Sequence, residues 1–422
     1  MIKRYTLDNG LRVIVEPIPT VRSVALGIWV GTGSRYENPE NNGISHFIEH
    51  MFFKGTSNRT AQEIAEVFDS IGGNVNAFTS KEYTCYYAKV LDEHVELGLE
   101  TLSDMFFNST FDSSELERER NVVVEEIKMY EDTPDDQVHD LISKASYGDH
   151  PLGYAILGTE GVLNKITRDT IKNYLDTNYT IESTVITIAG NVSENIVELI
   201  GKYFNVFDKN KNADISITKP VFQASTIIKT KKTEQAHLSF ALPGLPVSDP
   251  NNYSLVLLNN IIGGSMSSRL FQEVREKRGL AYSVFSYHSS YQDNGLYTIY
   301  AGTAPNQVDD VVDIIQNILT DVKTNGIQEK EIIKGKEQLK GSLMLSLEST
   351  NGRMSRLGKN ELLLGKHLTL DEILDKINNV SLDTVKKVID QVLIHPLSFA
   401  MISQLEQEPK TLRRDLLVSS KN

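Results

Sequence analysis

The spacing of apolar residues divides the chain into two halves with a similar order of elements. Alternation with a period of two predicts strands, and recurrence at three or four residues predicts helices. In the first half the predicted strands are Leu11–Pro17, Ser23–Gly31, Asn74–Thr79, Tyr83–Val90 and Thr184–Ala189. The predicted helices are Ile44–Phe53, Ala61–Ile71, His94–Phe107, Ser114–Tyr130 and Asn195–Tyr203. Thr60 is expected to cap the second helix, and Gly72 with Gly73 is expected to end it.

The second half repeats this order. Its predicted strands and helices are His237–Leu242, Tyr253–Ile262, Ser268–Glu276, Ala281–Tyr287 and Gly295–Gly302. A unit of helix, glycine, strand, turn and strand therefore occurs twice, at Ile64–Val90 and at Leu270–Gly302, which indicates a duplicated domain. The polar, aperiodic run Asp208–Asp214 lies near the midpoint of the chain. We predict an α+β fold of two similar domains, residues 1–213 and 214–422, each a mostly antiparallel sheet covered by helices.

Size and charge narrow the class of partner. A chain of 422 residues with 40% hydrophobic content is longer than one core usually grows, which favours two domains. Its 43 basic and 56 acidic residues give a net charge of -13, which repels nucleic acid and anionic membranes. Polypeptides or small molecules are the expected partners.

Cysteine content and hydropathy bear on the compartment. Cys85 is the single cysteine, so an internal disulfide is excluded and a reducing environment is favoured. It lies in the apolar run Tyr83–Val90, where burial is expected. Met1 is followed at once by the alternating pattern, which leaves no room for a signal segment. The longest apolar stretch, around Val24–Val30, is far short of the roughly 20 residues that span a bilayer. We expect a cytoplasmic protein with no membrane partner.

The run His46-Phe-Ile-Glu49-His50 carries the chemistry. Two imidazoles four residues apart lie on one face of a helix, at the spacing that grips a single tetrahedral ion. Glu49 lies one position before the second ligand and can act as the general base of metal-assisted hydrolysis. The alternative is a pair of surface histidines on an amphipathic helix. The flanking apolar residues Phe47, Ile48, Met51, Phe52 and Phe53 argue against that alternative because they imply burial.

A catalytic zinc needs a third protein ligand. The predicted helix Ser114–Tyr130 offers several acids, of which Glu119 and Glu126 are two turns apart and share a face. The spacing does not choose between these two residues. A solvated acidic face is the alternative interpretation of the same helix.

These residues resemble the pitrilysin and insulysin type of zinc peptidase, and within it the short-chain branch similar to the mitochondrial processing peptidase. The resemblance spans essentially the whole chain. It implies one Zn2+ per chain, with Glu126 as the third ligand beside His46 and His50, and Glu119 as the carboxylate that orients the site. Glu125 is expected to point elsewhere on the helix. Manganese or cobalt would suit the same ligand set.

The resemblance also assigns substrate contacts. Residues Asn74, Asn76, Ala77 and Phe78 would lie on an edge strand beside the metal, to which a peptide substrate pairs through its backbone. Arg275 and Tyr282 match the pair that grips the substrate carbonyl and stabilises the oxyanion. Without the resemblance, Arg275 would be interpreted as an exposed charge at a helix end. The glycine-rich loop at Gly263–Ser268 resembles a loop that lines the chamber of the processing peptidases.

The expected activity is zinc-dependent endoproteolysis of short or unfolded peptides. Because the second half has no HxxEH of its own, the resemblance implies a homodimer in which two chains enclose the substrate. Arg275 and Tyr282 of one chain would then complete the site of the other. Two alternatives remain, a non-catalytic scaffold and the zinc-bearing subunit of a heterodimeric processing peptidase.

Overall fold

The computed structural model describes residues 2–207 and 217–418 of the chain. The predicted boundary between residues 213 and 214 lies outside the described residues. In chain order the strands are β1 Lys3–Thr6, β2 Arg12–Pro17, β3 Ser23–Val30, β4 Asn74–Thr79, β5 Thr84–Leu91, β6 Thr184–Gly190, β7 Thr226–Thr230, β8 Ala236–Gly244, β9 Ala281–Ser290, β10 Gly295–Thr303 and β11 Ser398–Ser403.

Helices occupy most of the remaining described chain. In order they are α1 Ile44–Met51, α2 Ala61–Ser70, α3 Val95–Asn108, α4 Ser113–Glu131, α5 Pro134–Tyr147, α6 Glu160–Leu163, α7 Arg168–Asn178, α8 Ile196–Phe204, α9 Asn252–Ile262, α10 Val308–Asn325, α11 Glu329–Ser346, α12 Thr350–Leu364, α13 Leu370–Asn378 and α14 Leu382–Val392. A π-helical turn, Phe271–Glu276, follows α9. Thr60 caps α2 through a capping box with Glu63, as its sequence predicts.

Two compact units make up the fold, and their boundaries interleave along the chain. The first comprises the residues up to 128 together with 154–218 and 344–367. The second comprises 129–153, 219–343 and the residues from 368 onward. Two segments are therefore exchanged: α5 comes from the first half of the chain and belongs to the second unit, while α12 comes from the second half and belongs to the first.

The two sheets have the same strand order. The first sheet runs β1-β2-β6-β3-β5-β4 and the second runs β7-β11-β8-β10-β9. In each sheet one neighbouring pair is parallel, β2 with β6 and β7 with β11, and the strands beyond it pair in antiparallel fashion. Without β1, the sheets match strand for strand. This confirms the predicted α+β fold of two similar, mostly antiparallel domains.

Helices cover both faces of the first sheet. On β3 the side chains of Val24, Leu26, Ile28 and Val30 pack against one core, and Ala25 and Trp29 pack on the opposite face with residues of α12. Burial on both faces explains why this strand is a continuous apolar run. Cys85 lies in the α12 core and is fully buried, as expected.

The second unit is built in the same way. Leu238, Phe240 and Leu242 of β8 face a large helical core, and Ala241 faces a smaller core with Val138 and Ile142 of α5. The predicted helix Ser268–Glu276 differs from observation, because Phe271–Glu276 forms a wider π-helical turn. The amide of Lys277 bonds to the Gln272 carbonyl, five residues back, over 3.0 Å.

No helix within the described part of the chain is long and apolar enough to cross a membrane.

The close approach of α12 to the first sheet gives a stability prediction. A Cβ added at Gly358 would lie 2.2 Å from the Trp29 ring, so Gly358→Ala should destabilise the first unit by about 1–3 kcal/mol. Trp29 is the only tryptophan of the sequence, and its fluorescence therefore reports unfolding of this unit. Gly341→Ala is the matched control: this helical glycine has no neighbour within 4 Å of an added Cβ, so the tryptophan transition should not move. Equal unfolding midpoints for the two variants would contradict the close contact between Gly358 and Trp29.

Candidate metal centre and active site

Helix α1 begins at a glycine because a side chain there would clash. Gly43 has φ +97°, and a Cβ on it would lie 2.7 Å from the Leu157 carbonyl oxygen. Amides at the start of the helix, which have no partner within it, are satisfied by Glu37, which is 4% exposed. Its carboxylate accepts from the amides of Gly43 and Ser45 at 2.8 and 2.9 Å. A carboxylate at the positive end of the helix fixes where α1 starts.

Apolar residues fix the rotation of α1 about its axis. Ile44, Phe47, Ile48 and Met51 are at most 1% exposed and pack in the first core. This orientation brings the two histidines to one side of the helix. The ring centres of His46 and His50 are 4.6 Å apart.

Glu126 on α4 completes a three-residue cluster. Its Oε2 lies 3.8 Å from His46 Nε2 and 3.5 Å from His50 Nε2. One potential ligand atom from each of the three residues lies within 4.8 Å of the others. Metal bonds of 2.0–2.2 Å in a tetrahedral site would separate ligand atoms by roughly 3.4 Å. The two distances from Glu126 Oε2 to the histidines lie within a few tenths of an ångström of this value, so the three residues suit a zinc ion.

Glu119 fixes the tautomer of His50. Its Oε1 lies 2.7 Å from His50 Nδ1, and its Oε2 lies 2.6 Å from Lys54 Nζ. An ionised carboxylate only accepts, so Nδ1 carries a hydrogen, which leaves Nε2 as the nitrogen that a metal would bind. Burial lowers the pKa of His50, but the hydrogen bond and charge of Glu119 outweigh burial and leave the pKa raised.

Burial also has the largest effect on the pKa of the second imidazole, that of His46. It lowers the pKa of His46 to about 3, and the nearby charge of His50 acts in the same direction. His46 is therefore neutral near pH 7 and can donate a lone pair to a metal. Its Nδ1 is buried and has no hydrogen-bond partner among the described protein groups.

Glu49 lies beside the cluster without joining it. Its Oε2 accepts a hydrogen bond of 2.6 Å from Thr79 Oγ1. Burial raises the pKa of Glu49 and the Thr79 hydrogen bond opposes this rise, so the carboxylate is a stronger base than an exposed glutamate. Sequence reasoning missed Thr79, Lys54 and Glu37 as supports of the site. The periodic pattern ends a predicted strand at Thr79, but no local pattern indicates that its hydroxyl bonds to Glu49.

Strand β4 is the edge of the first sheet, next to β5. Its predicted substrate residues divide between the two faces. Ala77 packs on the side of the core that contains α1, whereas Phe78 packs on the α12 side against Trp29, Tyr83 and Tyr87. Asn74 and Asn76 are exposed. Pairing through the strand backbone does not require all four side chains to face the cluster.

Arg275 and Tyr282 belong to the second unit and contact each other. The Arg275 guanidinium lies 4.6 Å from the centre of the Tyr282 ring and 4.8 Å from that of Phe271. Its Nη1 also donates to the Tyr282 carbonyl oxygen at 2.8 Å. The Tyr282 side chain is 77% exposed. Phe271, which sequence reasoning did not identify, therefore helps to hold the guanidinium in place.

Comparison with known proteins gives concordant matches along the chain. Residues 12–160 match the model of the insulinase family, peptidase family M16, and residues 165–339 match the model described as the peptidase M16 inactive domain. The chain is 58% identical to the uncharacterized zinc protease YmxG of Bacillus subtilis, over 96% of this chain and 98% of that protein. It is 40% identical to an uncharacterized zinc protease of Streptomyces coelicolor, over 98% and 92%.

A solved structure has the same fold. It is described as a protease from Helicobacter pylori and has a TM-score of 0.88, with 22% sequence identity over 96% of this chain and 99% of that one.

The geometry predicts that metal affinity depends on Glu126 and not on its neighbour. Glu126→Gln should weaken zinc binding by roughly 100-fold or more, since even residues that only support ligands cost 10- to 100-fold. Glu125→Gln is the matched control, because Glu125 pairs with Lys128 at 2.7 Å and lies outside the cluster. Competition with a chromophoric chelator measures both affinities. Equal affinities of the two variants would exclude Glu126 as a ligand.

Proposed function

Because the chain belongs to the insulinase family, peptidase family M16, we propose that it is a zinc-dependent endopeptidase acting on short or unfolded peptides. The relatives reported above are named zinc proteases, which supports zinc and proteolysis at the level of the family. The single observation that supports catalysis in this chain is the convergence of His46, His50 and Glu126, with Glu49 beside them.

The protein groups around the proposed ion have separate roles. His46, His50 and Glu126 would hold zinc, and Glu119 would keep Nε2 of His50 free to bind it. Bound zinc would supply a Lewis acid that polarises the scissile carbonyl and lowers the pKa of the attacking water. Glu49 would take a proton from that water and later deliver it to the leaving amine. The burial that raises its pKa favours the first transfer, because it makes the carboxylate a stronger base.

The substrate would be held by its backbone. An extended peptide that pairs with the free edge of β4 gains main-chain hydrogen bonds, which makes binding tolerant of side chains. Arg275 and Tyr282 would stabilise the oxyanion formed on attack. We propose that these two residues come from the partner subunit of a homodimer, whose two chains enclose the peptide. Enclosure would exclude folded proteins.

The competing function is that of a non-catalytic or auxiliary subunit. The match of residues 165–339 to the domain described as inactive is compatible with this function, because the described residues of the second unit form no metal cluster. The cluster in the first unit favours catalysis instead. Zinc content and size separate these possibilities: a scaffold would purify without stoichiometric zinc, and a heterodimer subunit would not assemble with itself.

Peptide cleavage tests the proposal. The purified chain is incubated with a mixed set of unfolded peptides, with chelator and after zinc is restored, and the products are identified by mass spectrometry. Glu49→Gln should retain stoichiometric zinc but lower kcat by about 10²- to 10⁴-fold, because the general base is lost while the ligands remain. Undiminished cleavage by this variant, or cleavage unaffected by chelator, would refute the assignment.

Mixing of inactive variants tests whether sites are shared. Glu49→Gln and Arg275→Ala chains should each be inactive alone. If sites are composite, random reassembly should yield heterodimers with one intact site, and activity should recover to about a quarter of wild type. Mixing each variant with itself is the control. No recovery, despite subunit exchange shown by differently tagged chains, would indicate that each chain completes its own site.

A further inference from the structure

Thr79 is the hydrogen-bond partner that the described residues provide for Glu49, with Oγ1 donating to Oε2 at 2.6 Å. We infer that Thr79 is a positioning residue for the general base, and that it couples this base to the strand that receives the substrate. The inference rests on the proposed function. Neither the metal cluster nor the Arg275–Tyr282 pair includes this residue.

The hydroxyl is presented by a rigid support. Thr79 is the last residue of β4 and pairs with Thr84 of β5, whose own hydroxyl donates to the Thr32 carbonyl at 2.8 Å. Thr84 and Thr32 are fully buried. The amide of the next residue, Ser80, donates to the Tyr83 carbonyl at 2.8 Å, which holds this end of β4 to the sheet.

The turn after Thr79 is held equally firmly. The amides of Ser34 and Arg35 donate to the carbonyls of Ser80 and Lys81 at 3.1 and 2.8 Å. The two segments approach so closely at Gly33 that an added Cβ would lie 2.1 Å from the Ser80 carbonyl oxygen. The end of β4 thus has little freedom to move, and the hydroxyl of Thr79 is a fixed reference point for Glu49.

The flexible side chain of Glu49 needs a fixed hydrogen-bond partner to hold its carboxylate in place. Its side chain has several rotatable bonds, and proton transfer requires the carboxylate within hydrogen-bond distance of the attacking water. The hydrogen bond to Thr79 occupies Oε2 and leaves Oε1 for the proton transfer. Misplacement of a catalytic group by about 1 Å can cost about 100-fold in rate.

The same strand offers its backbone to the substrate. The amide of Ala77 bonds to the side-chain oxygen of Asn76 at 2.8 Å, so it points to the open edge and away from β5. Because strand residues alternate, the backbone of Thr79 faces the same edge. A peptide that pairs there would lie next to the threonine that holds the base. Binding and base position are then set by one rigid strand.

The test is Thr79→Val, which removes the hydroxyl but keeps the branched shape of the side chain. Thr79→Val should lower kcat by about 10- to 100-fold while KM stays within about twofold, because ground-state binding is retained and only the reaction step is impaired. Thr79→Ser, which keeps the hydroxyl, should restore kcat to within about threefold of wild type. Thr177→Val is the control: this exposed threonine on α7 also loses a hydrogen bond, to the Asn173 carbonyl, and should behave as wild type.

Zinc content and the tryptophan unfolding transition are measured for every variant, and both should be unchanged. Wild-type kcat in Thr79→Val would overturn the inference, as would an equal loss in Thr79→Ser, since the hydroxyl would then have no special role. A rise in KM alone would also overturn it. If the wild-type chain cleaves no peptide, the proposed function itself fails; if it cleaves and Thr79→Val is unimpaired, only this inference fails.

Discussion

Ionisable groups on a short helix that packs against an apolar core must find partners that replace water, and this requirement organises the first unit. Helix α1 holds His46, Glu49 and His50 against an apolar core. Glu37 satisfies the amides at its start, and Glu119 holds His50 through Nδ1. Each partner comes from a different element. The placement of α1 against β4 and β5, with Glu126 of α4 beside its histidines, therefore decides whether the cluster forms.

The two copies of the domain share a fold but carry different candidate functional residues. Both sheets have the same strand order, and each has a face closed by a helix from the other half of the chain. In the second unit, α9 follows β8 as α1 follows β3, but the α9 sequence contains neither histidine nor glutamate. One copy of the fold thus carries the cluster of His46, His50 and Glu126. The other carries the exposed Arg275 and Tyr282.

Local patterns in the sequence predict what depends on local physics. The bounds of β4, the cap at Thr60 and the burial of Cys85 agree with the structure, because periodicity and capping act within a few residues. The exchange of α5 and α12 was not predicted. Contacts such as Trp29 with Met354 join residues 325 positions apart, and no local pattern reports them.

The candidate site, like the fold, was predicted from the sequence only where local spacing determines it. Helical spacing alone places His46 and His50 together, but it left Glu119 and Glu126 as equal candidates for the third ligand. The family resemblance chose between them, and the structure places Glu126 with both histidines and Glu119 behind His50. The supports at Glu37, Lys54 and Thr79 lay beyond sequence reasoning because each hydrogen bond or ion pair is set by tertiary packing.

The most direct test of the central claim is anomalous diffraction at the zinc absorption edge from crystals of the purified chain. The account predicts one strong peak per chain, about 2.0–2.2 Å from Nε2 of His46, Nε2 of His50 and a carboxylate oxygen of Glu126. A structure of zinc-supplemented protein with no peak between these three residues, or with its zinc bound elsewhere, would contradict the account.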